Sequence, residues 1–550
     1  MLGQSGPEFP GGIRHFHLAV HAAPSYCVAV TDQATQQSDS NYGHRGAPES
    51  AIGLVPQADL PHASWRPLLG ILALGALLRI AGLNTDLWVD EVVSLVTYMR
   101  LSLWDALGAY ESPNQHLLNS LLGGISIRLF GESHWAARLP AVLFGLASLW
   151  ALYFLASAIT SRREALLATA LMCVSYHHVW FSQNARGYAG MMFFCTLGTG
   201  IYLRGLHSYS ARTWLLYAAC MALGTTCVQN TVFVVLGHVA AYPFVFARWP
   251  NWRRTHWPLT TALIAGVAAS GLLSLMAHGR ILGKILTFLR EEDRVGYGGG
   301  LASPLDFLRV LFQGLQSGLV GPAFLLGAIL LGIGWISYAR QGRLVAGVIA
   351  LPVIFNGVAV VLLRYGAYPR SLLYCLPLVL LVAVRGGTVL GAWLAARARP
   401  SAGPSTRRLN GPSSPAFMSN LVVGLMIILS AASLVPNYTT PKQDYTGALS
   451  FVRSSMGPND RVCSVGLAGK MYGKYYAPDL SRPQTPTELR ELIPANGHLW
   501  VIYSFRRGDM ALRYADLLSV LRDEFEEVQA FPGTLGDGWI DVVRAPRIDL

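Results

Sequence analysis

Eleven apolar runs, each close to the ~17–25 residues that carry a helix across a bilayer's hydrocarbon, limit what this chain can fold into. They fall near 66–83, 136–158, 165–181, 187–203, 214–230, 231–247, 257–277, 319–338, 344–363, 371–394 and 417–435. The pair 214–230 and 231–247 is nearly continuous and is the place where the count can shift. In lipid a spanning segment must satisfy its own N–H and C=O groups, so these runs predict helices. With 52% hydrophobic and 13% charged residues, the chain reads as an integral membrane protein. The net charge of +12 comes from arginines scattered in short loops rather than gathered on one face, which argues against nucleic acid as a partner. Most of the seven cysteines, among them Cys173, Cys195, Cys220 and Cys375, lie inside apolar runs without a CxxC pair, as packing residues do.

Charge sets the orientation. Alternate loops hold Arg162 and Arg163; Arg204 and Arg212; Arg248, Arg253 and Arg254; Arg340 and Arg343; and Arg397, Arg399, Arg407 and Arg408, with Glu164 the one acid among them. Those loops are expected in the cytoplasm. The outward set is then 84–135, the 182–186 turn, 278–305, 364–370 and everything after 436, with the N-terminus inside and the C-terminus outside. Residues 1–62 are polar and aperiodic, and read as a disordered cytoplasmic tail or as a translation start placed too far upstream. Residues 63–436 form the membrane domain. Residues 437–550 predict an extracytoplasmic α/β domain, with strands at Arg461–Leu467, His498–Ser504 and Trp539–Arg544 and helices at Asp444–Ser455, Pro486–Ile493 and Ala511–Phe525.

A transporter or flippase of lipid-linked sugars would place ionisable residues near mid-span, and here they are scarce. A non-catalytic scaffold or sensor is a further alternative. Polar residues gather instead at the outward ends: Asp90 and Glu91; Asn114, Gln115 and His116; Arg138; the stretch YHHVWFSQNARGY from Tyr176 to Tyr188; and RYGAYPRSLLY from Arg364 to Tyr374. A polar surface assembled from many segments on one side suits an enzyme of the outer interface.

The series LWVDEVVSL, PNQHLLNSLL, LFGESHWAARLPAVLFG, WFSQNARGYAG and YPRSLLYCLP resembles glycosyltransferase family 39 and related GT-C enzymes. That group includes protein O-mannosyltransferases and lipid A aminoarabinose transferases. The resemblance covers about 66–380. Two positions depart from the family pattern: Leu117 stands where a proline usually follows the histidine, and Ser371 follows Pro369 and Arg370 in place of tyrosine, with Tyr374 further on.

The resemblance implies a GT-C fold of about eleven transmembrane helices and a polyprenyl-phosphate sugar donor used outside the cytoplasm. It also implies inversion at the anomeric carbon. The acceptor is left open among glycan, lipid and protein. Such a transfer needs a base for the acceptor hydroxyl and cations for the leaving phosphate. Asp90 is expected as the base. Adjacent helical residues point about 100° apart, so Glu91 is expected to hold the acceptor, a metal or a neighbouring loop instead. Arg186 and Arg370 are the candidates for the donor phosphate, since guanidinium forks match phosphate oxygens. Asn114, His116, Arg138, Gln183, Tyr188 and Tyr374 are the candidate substrate-binding residues. Arg138 equally suits capping the second run and pairing with a loop acid, and the two tyrosines equally suit an aromatic belt. No cofactor is implied. A divalent metal stays open, with Glu91 and His116 as its candidate ligands, and the remaining partner is membrane lipid.

Overall fold

The computed structural model describes residues 64–206, 210–246, 252–291, 321–363, 369–398, 414–534 and 538–546, with isolated positions between 305 and 313. The expected tail 1–62 and the loop residues Arg248, Arg364, Arg399, Arg407 and Arg408 lie outside the described residues. All described residues belong to one compact unit.

The first helices, with the 84–135 loop among them, run α1 (Arg66–Ile80), α2 (Val89–Ser94), α3 (Leu117–Phe130), α4 (His134–Ala156), α5 (Arg162–Cys173), α6 (Tyr176–Ser182) and α7 (Tyr188–Gly205). Then follow α8 (Ala211–Cys227), α9 (Thr231–Ala241), α10 (Trp252–His278), α11 (Gly321–Gln341), α12 (Arg343–Leu363), α13 (Leu376–Arg397) and α14 (Pro415–Ala432). Among the described residues, six helical stretches are long and apolar enough to cross a membrane: His134–Ala156, Trp257–His278, Phe324–Gln341, Arg343–Leu362, Pro369–Arg397 and Pro415–Thr439. The expected run 66–83 forms only the 15-residue α1, which at 1.5 Å per residue is about 22 Å long.

The expected run 165–181 is not one helix but two. α5 stops at Cys173, whose carbonyl accepts from Arg79 Nη1 at 3.3 Å, and α6 starts afresh at Tyr176. Arg79 is fully buried on α1, and its other terminal nitrogen donates to His178 Nδ1 at 2.5 Å. The His178 Nε2 proton then goes to Ser148 Oγ, at 2.7 Å. A buried cation needs acceptors, and the open end of a helix, with its unpaired carbonyls and negative dipole, supplies one.

Small residues let helices touch. A Cβ on Gly334 of α11 would lie 1.9 Å from the Val382 carbonyl of α13, and one on Gly386 would lie 1.8 Å from the Leu330 carbonyl. Such backbone contact is the packing that membrane helices favour.

Beyond α14 come α15 (Tyr445–Ser455) and a four-stranded sheet in the order β1-β2-β4-β3, with β1 (Arg461–Ser464), β2 (Leu499–Ser504), β3 (Glu526–Phe531) and β4 (Ile540–Arg544). β1 and β2 are parallel, and the other two pairings are antiparallel. β3 falls outside the three strands read from sequence. It is an edge strand reading EEVQAF, half exposed along its length, so it lacks the apolar run that marks its neighbours. β2 is buried at every position. Its Trp500 and Ile502 share a core with Leu87, Val89 and Val92 of the 84–135 loop, whereas Leu499, Val501 and Tyr503 face a second core on the other side of the sheet. Side-chain alternation along one strand therefore ties the sheet to the membrane-proximal loop.

Candidate active site

α2 begins at Trp88, which lies in extended geometry at the N-cap. Its indole has no acceptor to offer the first turn. Glu91 does this instead, with Oε2 accepting from the Trp88 N–H at 2.9 Å. This fixes the two acids on different sides of the turn.

Asp90 faces the arginines. Its Oδ2 accepts from Arg186 Nη1 at 2.6 Å and stands 3.6 Å from Arg370 Nη1, while Oδ1 accepts from Asn114 Nδ2 at 3.1 Å. Arg186 Nη2 closes the triangle by donating to Asn114 Oδ1 at 2.6 Å. The Arg186 guanidinium also lies over the Tyr188 ring, 4.9 Å from its centre. Burial alone raises the Asp90 carboxyl; Arg186, Arg370 and Asn114 more than offset it and hold it below the usual carboxylate value. Arg370, on the 3-10 turn Pro369–Cys375 that leads into α13, is 32% exposed and is the more open of the two arginines.

His116 lies at the edge of the same cluster, with its ring 5.2 Å from that of Tyr188. Its Nδ1 donates to the Cys227 carbonyl at 2.8 Å, and its Nε2 has no partner among the described residues. Burial and then Arg186 push its pKa down to about 3, so the ring is neutral and Nε2 is an acceptor. The backbone beside it is close-packed: a Cβ on Gly187 would lie 2.3 Å from the Cys227 carbonyl.

Glu91 is taken up by neighbouring protein groups. It is fully buried, as is Arg138. Its Oε1 accepts from Arg138 Nε at 2.8 Å and from the Ala185 N–H at 2.7 Å, and its Oε2 accepts from Arg138 Nη2 at 2.8 Å as well as from Trp88. Lys442 Nζ stands 3.7 Å from Oε2. Burial raises this carboxyl, and Arg138 and Lys442 then drive it down to about 2. Arg138 in turn spends its remaining donors on the carbonyls of Leu83, Thr85 and Asp86, at 2.7, 2.8 and 2.9 Å. The pair therefore braces α4 to the 84–135 loop. Gln183 and Tyr374 are likewise occupied. Gln183 Nε2 caps the end of α1 through the carbonyls of Leu78 and Ala81, and the Tyr374 hydroxyl donates to Pro352 C=O at 3.0 Å. Among the described residues no three His, Cys, Asp or Glu side chains gather as a metal site.

Sequence reasoning missed Lys442 and Gln443. Lys442 is one of four lysines in the chain. Its place on the outward flank of the last expected span, where basic residues are sparse, was the available signal. Gln443 carried none.

Residues 117–274 match the family model described as dolichyl-phosphate-mannose-protein mannosyltransferase, a segment that includes His116's helix, Arg138 and Arg186. Over those residues the chain is similar to the protein mannosyltransferases. An uncharacterised protein of Mycobacterium leprae (strain TN) is 30% identical over 125 residues, 22% of this chain and 45% of that one, so the match spans less than half of that relative's length. Among solved structures, ArnT from Cupriavidus metallidurans bound to undecaprenyl phosphate shows 12% identity and a TM-score of 0.47, covering 88% of this chain and 98% of that one. The oligosaccharyltransferase AglB from Archaeoglobus fulgidus, in complex with an inhibitory peptide and a dolichol-phosphate, shows 12% identity and a TM-score of 0.49, covering 83% of this chain and 71% of that one.

Proposed function

We propose that the protein is an integral membrane glycosyltransferase that moves a sugar from a polyprenyl-phosphate donor to an acceptor outside the cytoplasm. The observation that carries this reading is the meeting of Asp90 and Asn114 of the 84–135 loop with Arg186 of the turn before α7 and Arg370 of the 3-10 turn before α13. The family match over 117–274 supports the reaction class.

The chemistry follows from the charges. The sugar's anomeric carbon loses its bond to the donor phosphate oxygen and gains one to the acceptor oxygen, from the opposite face, with inversion. Arg186 and Arg370 take up the charge that grows on the leaving phosphate. Asp90 accepts the acceptor hydroxyl's proton. In the state described here those arginines lean on Asp90. An arriving phosphate competes for them, and every ångström by which they leave Asp90 makes its carboxylate a stronger base. The base is thus armed by the donor. Eleven spans, a cytoplasmic N-terminus and an extracytoplasmic segment 437–550 without chemistry of its own complete the proposal.

The test is mass spectrometry of surface glycoproteins, glycolipids and polysaccharide from a strain lacking the protein. Loss of one sugar linkage, restored by the wild-type chain and not by Asp90→Asn, is expected. An unchanged glycan profile contradicts the reading.

A further inference from the structure

We infer that Lys442 and Gln443 are positioning residues for sugar transfer, holding from the segment after the last span the helical turn that carries Asp90. The inference rests on the reading of Asp90 as the base.

That turn cannot hold itself. The first N–H groups of a helix lack partners inside it, and Trp88 brings no acceptor of its own. Gln443 Oε1 accepts from the Val89 N–H at 2.8 Å, and the Tyr476 hydroxyl accepts from the Leu87 N–H at 2.8 Å. Thr446 donates to Asp86 Oδ2 from its N–H at 2.7 Å and from its hydroxyl at 3.0 Å. Lys442 ends 3.7 Å from Glu91 Oε2, donates to the Gln183 carbonyl and lies 4.7 Å from the centre of the Trp180 ring. Residues 86, 87, 89 and 91 are thus each gripped from 442–476, and Asp90 is the side chain among them that faces Arg186.

Lys442 and Gln443 are as buried as a core residue, at 5% and 0% exposure. A long charged side chain is costly to bury, and an amide needs partners when buried. Both face the same turn. Rotating that turn would swing the Asp90 carboxylate away from Asn114 and Arg186, and a general base must stand within hydrogen-bond reach of the proton it takes.

The experiment uses the full-length protein in nanodiscs, with polyprenyl-phosphate mannose as the donor probe, water as the acceptor and released mannose as the readout. Gln443→Leu removes the acceptor and Lys442→Met removes the charge, whereas Gln443→Glu keeps an accepting oxygen and Lys442→Arg keeps the charge. The first two are expected to lower kcat about 10- to 100-fold. Donor KM should move by less than about twofold, and the conservative variants should regain most of the rate. In an Asp90→Asn background the same two changes should add nothing, because they act through Asp90. Equal losses in both backgrounds, or a loss carried by KM, overturn the inference.

Hydrogen exchange over residues 87–92 gives a second readout that does not depend on turnover. It should quicken in Gln443→Leu and stay slow in Gln443→Glu, and unchanged exchange overturns the inference as well. A wild-type protein that leaves the mannose probe intact counts against that donor alone, with exchange still deciding the clasp.

Discussion

Asp90 is paired before any substrate arrives. Arg186 is the closer partner and Arg370 the more exposed one, so an arriving phosphate meets Arg370 first. Arg370→Lys keeps a charge and loses the two-pronged fork, so donor affinity and kcat should both fall, by roughly 1.5–3 kcal/mol for a lost charge-assisted bond; wild-type kinetics in nanodiscs would contradict it. The pH profile is a second test. Once burial's opposite push is offset, the arginines hold Asp90 below its usual value, and burial holds His116 neutral down to about 3. The profile of kcat/KM, which reports the free enzyme, should therefore stay level from neutrality to about pH 5, without an ionisation near the ordinary histidine value of about 6.5. A limb there would assign His116 or another group the proton transfer. At this scale the sequence was informative but incomplete. Helical spacing separated Asp90 from Glu91 and did not say which partners each would meet, because Arg138 is 47 residues from Glu91 and Lys442 is further still.

Elements are held by polar braces that composition hides. The Glu91–Arg138 pair fastens α2 and the loop to α4. Arg79 fastens α1 to the end of α5. Glu164 of α5 meets Arg385 of α13 at 2.9 Å and Thr388 at 2.6 Å, towards the expected cytoplasmic side. Long apolar runs announced most of these helices, and the caps and braces that stop or break them depend on residues distant in sequence. β3 escaped notice for a related reason, since an edge strand needs no apolar face of its own. Glu91→Ala leaves the Arg138 cation buried without its acid and should cost about 3–5 kcal/mol, seen as a large fall in the thermal unfolding midpoint in detergent. A variant as stable as wild type would show that the brace is dispensable. The acid limb follows with a definite sign. The folded Glu91 carboxyl, at about 2, lies below its ordinary 4.5, so its contribution is complete above pH 4.5 and is lost as pH falls towards 2.

The whole molecule turns on one orientation. The expected arrangement puts the arginine-bearing loops on the cytoplasmic side and the Asp90 cluster with the sheet on the other, and an impermeant thiol reagent tests it. Ala211 and Ser455 are both exposed in the structure. In intact cells Ser455→Cys should be labelled from outside and Ala211→Cys should not; the reverse pattern would invert the topology and move the cluster into the cytoplasm. The association of the sheet with the 84–135 loop was beyond the sequence, because it is made by Trp500 and Ile502 against Leu87, Val89 and Val92, across some four hundred residues. The most direct test of the account is sugar transfer by purified Asp90→Asn in nanodiscs, with binding of polyprenyl phosphate measured on the same sample. Asparagine keeps the size of the side chain and removes the basic oxygen. The maximum rate should fall about 10²-fold or more while polyprenyl phosphate still binds, and an Asp90→Asn protein that turns over at the wild-type rate would contradict the assignment of Asp90 as the base.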